Sequence, residues 1–151
     1  MAQTEHAIFT NLCMVYDDAD NVLVIDRNKE DWPGITFPGG KVEHEESFTA
    51  SVIREVFEET GLTIKNPVLC GIKQFQTDED ARYVVLFYKT NRYSGNLKSS
   101  SEGNVFWTPK CDLVQYKLSA DFEAMVRIFE SDDLSEFYYY KEGESWEYKI
   151  L

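Results

Sequence analysis

Glu55, Glu58 and Glu59 stand three and four residues apart, with Arg54 beside them. On a helix stepped at about 100° per residue, Glu58 and Glu59 fall within about 60° of Glu55, one on either side. One helix face would then present three carboxylates. Like charges at these spacings each cost a few tenths of a kcal/mol on an isolated helix. A helix optimised for stability alone would interleave lysines. A hard cation that takes oxygen ligands accounts for the cluster. Mg²⁺ fits best, because it keeps several waters and binds one or two carboxylates together with substrate phosphates; Mn²⁺ is a possible substitute. The competing reading is a solvated acidic face, for which 27 Asp+Glu against 15 Lys+Arg supply ample material.

The elements that must position these groups can be read locally. Ser47 is placed to cap the helix and Gly61 to end it. Between them runs FTASVIREVFEET, about three and a half turns, with Ala50, Ile53 and Phe57 opposite the acids and expected to face a core. Arg54 lies about 100° round the helix from Glu55, where it reaches Glu58 at i+4 or Glu46 just before the helix. Ahead of the helix, Ile35, Thr36 and Phe37 form a short extended piece ending at Pro38-Gly39-Gly40. Two adjacent glycines permit close approach of the backbone to a ligand or metal.

Residues 40–62, GKVEHEESFTASVIREVFEETGL, fit the pattern G-x5-E-x7-R-E-U-x-E-E-x-G-U, where U is bulky and apolar. Gly40, Glu46, Arg54, Glu55, Glu58, Glu59 and Gly61 match by identity, and Val56 and Leu62 fill the apolar slots. A chance match is rarer than about one in 10^8 per starting point. The segment resembles the signature of the Nudix hydrolases, which cut nucleoside diphosphates linked to another group X. The resemblance implies an α/β/α sandwich with a mixed sheet. It implies Glu55, Glu58 and Glu59 as Mg²⁺ ligands, joined by the backbone carbonyl of Gly40 or Gly39. It also implies an orienting Arg54–Glu46 pair. Family members differ in which glutamate takes the proton from the attacking water; Glu55 is the first choice and Glu58 the next. A further acidic ligand often comes from a loop before a late strand. Glu102 is the candidate, with Asp78, Glu79 and Asp80 as rivals. MVYDDADNVLVIDR and WPGITFPGG look like the MutT-like branch, sanitisers of oxidised nucleotides such as 8-oxo-dGTP that release the monophosphate and pyrophosphate.

Other substrates stay open: ADP-ribose, a dinucleoside polyphosphate or the 5′ end of RNA. So does a non-catalytic nucleotide sensor, although the intact glutamates argue against it. A simple cation-binding module would need a D-x-[DN]-x-[DN]-G loop, which is missing. Four residues are candidates for holding the substrate. Lys41 follows the double glycine and meets a phosphate or stays solvated. Asn11 sits mid-strand among apolar residues, and a buried Asn must find partners; a base edge is one answer, a bulge or water the other. Trp32 and Phe37 could stack on a base, with Trp32 equally suited to a core. His44 is assigned no role.

Around these groups the chain reads as strands at residues 7–16 and 22–26, the acidic helix, and two strand-like runs at 67–76 and 83–90. The latter are joined by TDEDAR as a hairpin. Residues 93–104 read as a loop and 105–108 as a short strand. Ser119 is expected to cap a second helix through about Glu130, with Phe122, Met125, Val126 and Phe129 on its apolar stripe. The aromatic tail FYYYKEGESWEYKIL is expected to be a hairpin over the domain or a dimer contact, so the protein is expected as a monomer or homodimer. With 151 residues, 43% of them hydrophobic, one globular domain over residues 1–151 is expected. No apolar run nears a membrane span, and MAQTEHAIF lacks the charged and apolar regions of a signal peptide. Cys13, Cys70 and Cys111 show no zinc spacing, which points to a reducing, cytoplasmic setting. A net charge of −12 disfavours a stable nucleic-acid complex. A small nucleotide can still bind where Mg²⁺ neutralises it and the acidic site.

Overall fold

A computed structural model describes residues 2–151. The element order is β1 (His6–Val15), β2 (Asn21–Arg27), β3 (Gly34–Thr36), α1 (Phe48–Thr60), β4 (Leu62–Lys65), β5 (Val68–Gln76), β6 (Ala81–Thr90), β7 (Arg92–Gly95), β8 (Gly103–Pro109), a 3-10 helix (Lys110–Gln115), α2 (Phe122–Glu130), β9 (Glu136–Glu142) and β10 (Ser145–Ile150). The main sheet has the order β1-β6-β5-β9-β10. β1 runs parallel to β6, and β5 parallel to β9, while β5–β6 and β9–β10 are antiparallel. A smaller antiparallel sheet, β3-β2-β8, and the pair β4–β7 complete the strands.

The sheet alternation explains why helices cover both faces. On β1, Cys13 and Val15 point to one core with Leu86 and Tyr88 of β6. The residue between, Met14, points to another core with Val85 and Phe87. Successive strand side chains take opposite faces, so a strand apolar at every position must be buried on both. α1 covers the first face with Val52 and Val56. α2 covers the second with Phe122, Met125, Val126, Ile128 and Phe129. The result is a mixed sheet with a helix on each side, as the sequence implied.

Three expectations are corrected. Of the expected packed face of α1 only Ile53 meets the core, half-buried: Ala50 is exposed and Phe57 is 55% exposed, whereas Val52 and Val56 are fully buried. The packed face therefore starts next to the acids rather than opposite them, and Glu59 lies on the seam. Ser119 does not cap α2, whose N-cap position is Asp121 in a left-handed conformation (φ 63°). Residues 93–104 are not all loop, since β7 pairs with β4 from Leu62↔Gly95 to Lys65↔Arg92. The β5–β6 hairpin and the caps of α1 are as expected. The aromatic tail folds as the β9–β10 hairpin at the sheet edge. No helix among the described residues is long and apolar enough to cross a membrane.

Candidate active site

α1 starts where the Ser47 hydroxyl accepts the Ala50 N–H, and ends where Gly61 turns left-handed (φ 81°). Both caps fix the rotation of the helix, and with it the direction of its acids. The strand-like loop before it is stitched to β1. Cys13 N–H donates to Pro38 O, Asn11 N–H to Gly40 O, and Val42 N–H to Phe9 O. The Asn11 side chain finishes the attachment. Its Oδ1 accepts from Gly40 N–H at 3.1 Å and its Nδ2 donates to Ser51 Oγ at 2.9 Å. This one side chain ties β1, the double glycine and α1 together. The buried Asn thus finds two partners inside the protein, a bulge or water not being needed, while it also borders the pocket.

Gly39 is required by the backbone that faces it, and Gly40 by the Glu55 carboxylate keeping its present position. A Cβ on Gly39 would run into the Asn11 and Leu12 backbone, and a Cβ on Gly40 into the Glu55 carboxylate. The Gly39 N–H donates to Glu59 Oε1 at 2.7 Å. Because the Gly40 carbonyl already accepts the Asn11 N–H, the Gly39 carbonyl is the freer backbone oxygen.

Arg54 joins both partners that its position allowed. Its guanidinium grips Glu46 with two bonds of 2.7 and 2.9 Å. It also donates to Glu55 Oε1 at 2.9 Å, Glu58 Oε2 at 3.2 Å and the Lys41 carbonyl at 3.0 Å. The Arg54 hydrogen bonds, aided by the Glu43 N–H, hold the Glu46 carboxyl down at about 2. Glu55 is raised, chiefly by burial, although Arg54 opposes this. Glu59 is pushed up to about 7 by burial; the Gly39 N–H lowers it, and the charges of Glu55 and Glu102 raise it further.

Among the described residues no three acidic, histidine or cysteine side chains form a ready-made cation cage. The expected convergence of Glu55, Glu58 and Glu59 is therefore not preformed. Arg54 draws the first two toward itself, and Gly39 holds the third. The donor set nevertheless suits a hard cation. It consists of oxygens alone, and Glu59 is 6% exposed with one N–H donor facing its carboxylate. Burying a carboxylate so sparsely compensated is costly, and a cation would relieve it.

These groups line a pocket of about 620 Å³. Glu55, Glu58, Glu59, Gly39, Gly40, Lys41, Asn11, Trp32 and Glu102 all border it. Phe37 does not. It is 1% exposed and packs edge-on against Phe122 and Phe129 in the core, because odd and even residues of this extended piece face opposite ways. Asp78, Glu79 and Asp80 sit away from the pocket at the β5–β6 turn, so Glu102 is the acid that the fold brings in. Glu102 is paired with Lys29 at 2.9 Å.

The NUDIX domain family model matches residues 9–130. This chain belongs to the Nudix family. It is 35% identical over 100 residues to YvcI of Bacillus subtilis, an uncharacterised Nudix hydrolase, and the match spans 63% of this chain and 61% of that one. The chain thus covers about three fifths of that relative's length. A mutator MutT protein from Bacillus halodurans superposes with a TM-score of 0.77 at 29% identity, covering 95% of this chain and 97% of the other. The Nudix domain of Shewanella oneidensis NrtR, solved with ADP ribose, shares the fold with a TM-score of 0.64 at 18% identity, covering 85% and 88%.

Within this Nudix pocket stand residues that the sequence reading missed. Arg27 lines it with a buried Nε that has no partner, and Lys29 lines it beside Glu102. Lys73 lines it from β5 at 4% exposure. Tyr83, Val85 and Met125 form an apolar stretch of the wall, and the buried indole N–H of Trp32 has no partner. The signal for Lys73 was parity. It alternates with Gly71 and Phe75 on one face of an apolar strand, where a lysine is out of place.

Proposed function

We propose that this protein is a Mg²⁺-dependent nucleoside triphosphate pyrophosphohydrolase that releases the monophosphate and pyrophosphate, with 8-oxo-dGTP or a related damaged purine nucleotide as its preferred substrate. The observation that carries the reading is the joining, in one pocket, of a carboxylate helix, an Arg- and Lys-bearing rim and an apolar wall. A nucleotide needs all three. The phosphates need cations and the acids that hold them, and the base needs an apolar slot with a few polar groups.

Glu55, Glu58 and Glu59, with the carbonyl of Gly39 or Gly40 and Glu102 in reserve, would hold the cation. When bound, it screens phosphate charge and lowers the pKa of water. Glu55 is our first choice for the group that takes the proton, with Glu58 next. Glu55 Oε1 accepts from Arg54, and burial raises the Glu55 carboxyl above the ordinary value. Arg54, itself held by Glu46, orients Glu55 and Glu58. Arg27, Lys29 and Lys41 border the same pocket and suit phosphate oxygens. Trp32 offers a face for the base.

The similarity to a Bacillus halodurans MutT protein over nearly the full length of both chains supports the triphosphate substrate. The test is kcat/KM for 8-oxo-dGTP, dGTP, ADP-ribose and a 5′-triphosphorylated RNA at saturating Mg²⁺. We expect 8-oxo-dGTP to lead and EDTA to abolish turnover. A lead for ADP-ribose or RNA would overturn the substrate, and activity persisting in EDTA would overturn the metal-dependent mechanism.

A further inference from the structure

The ammonium of Lys73 is caged by aromatic rings. Its Nζ lies 4.7 Å from the Trp32 ring centroid, 5.3 Å from Tyr139, 5.4 Å from Phe137 and 5.8 Å from Phe75. Among the described residues it has no carboxylate within ion-pair distance and no hydrogen-bond partner. The side chain is 96% removed from solvent (4% exposed), yet it borders the pocket. Burying a cation without a paired carboxylate is costly; the more distant charge of Asp121 and the cation–π contacts return only part of that. Burial accordingly pushes the Lys73 amine below its usual range. A methionine would fill the same volume and be more stable. The lysine is better explained by a ligand that brings acceptors to it.

The proposed nucleotide reading, on which this inference rests, offers two kinds of acceptor. Phosphate oxygens belong with the α1 acids and the Gly39-Gly40 loop. Lys73 instead shares its stretch of the wall with Tyr83, Val85, Met125 and the Trp32 ring, all of them suited to a base. A lysine pairs with the O6 and N7 acceptors of guanine, whereas adenine presents a donor N6 amino group at that edge. We propose that Lys73, framed by Trp32, is the base-class specificity residue of this site and selects purines carrying a 6-oxo group over those carrying a 6-amino group. Guanine and its 8-oxo form share O6, so Lys73 sets the base class and leaves lesion recognition to other groups.

Binding of GMP, IMP and AMP in Mg²⁺, measured by calorimetry on the parent and K73M, tests this without requiring turnover. IMP carries the 6-oxo group but lacks the 2-amino group of guanine. In the parent, GMP and IMP are both expected to bind roughly 5- to 150-fold tighter than AMP. In K73M the three should fall within about 3-fold of one another, with a melting temperature no lower than the parent's. If K73M does not fold, K73Q supplies the comparison. The inference fails if the parent binds none of the three, if IMP binds like AMP, or if the variant keeps the parental ratio. The pyrophosphohydrolase reading can fail separately: a chain that binds GMP through Lys73 but cleaves no triphosphate would sink that reading and leave this one standing.

Discussion

Glu59 holds the sharpest conflict between stability and function in this chain. It is buried, points at the Gly39 N–H and is raised from 4.5 to about 7. A folded-state value above the unfolded one means that the fold binds the extra proton. Its contribution is therefore fully present below about pH 4.5 and is lost as pH rises through about 7. E59Q keeps an oxygen for Gly39 but does not titrate. In EDTA, E59Q should match the parent near pH 4.5 and exceed it at pH 8 by up to about 3 kcal/mol. Added Mg²⁺ should stabilise the parent more than the variant. Melts of both proteins at the two pH values check this, and a parent more stable than E59Q at pH 8 in EDTA would contradict it. Arg54 acts by orientation. R54K removes the two-bond grip on Glu46 and the reach to Glu55 and Glu58, since a single ammonium cannot reproduce the fork. Activity should fall roughly 10- to 100-fold with little change in melting temperature, as is usual for groups that orient ligands. Parallel kinetics and melts would show whether the loss is catalytic or structural.

At the level of elements, the site depends on three pieces being held in register, and Asn11 holds all three. N11A should cost about 1–3 kcal/mol, because Gly40 N–H and Ser51 Oγ lose a partner in a buried place. Turnover should drop by the same factor on every substrate, since the loop moves for all of them. A loss confined to guanine nucleotides would instead mark Asn11 as a base contact. The sequence made this element's ends legible but not its facing. Ser47 and Gly61 act on backbone groups one turn away, so the caps of α1 can be read from neighbours in the chain. Which stripe of α1 is buried depends on how the sheet meets it, and here Val52 and Val56 win while Phe57 stays out. The three glutamates and Arg54 were readable because their chemistry requires fixed spacing on one helix. The burial of Lys73 was legible from strand parity, but its arrival at the pocket, like that of Arg27, was not, because each gets there through strand pairing across distant segments. β7 was missed for a similar reason. Its four residues are all exposed, so no apolar alternation marks it, and its partner β4 lies some thirty positions earlier.

Across the whole molecule, the C-terminal hairpin links stability to the pocket. β9 joins the main sheet through three register pairs with β5, from Ile72↔Glu136 to Gln74↔Tyr138, so the ladder alone holds it weakly. Aromatic contacts supply the rest. Tyr148 of β10 stacks on the buried Phe137 at 4.8 Å, and Trp146 stacks on Tyr139 at 4.7 Å. The Leu151 backbone carbonyl accepts from the N–H groups of Ser135 and Glu136. Phe137 and Tyr139 are also two walls of the Lys73 cage. Ending the chain at Glu142 would remove β10, strip Phe137 and Tyr139 of their covers and turn β9 into an aromatic sheet edge. The loss of stability should be at least about 3 kcal/mol, comparable with deleting a buried aromatic side chain. The open edge should also drive self-association. Because the cage loosens while α1 and the glycine loop keep their own contacts, KM for nucleotides should rise more than kcat falls. Melting, gel filtration and kinetics on the truncated chain decide this. Unchanged melting would show that β10 is ornamental, and a fall in kcat at constant KM would show that the hairpin acts on the carboxylates rather than on the base wall.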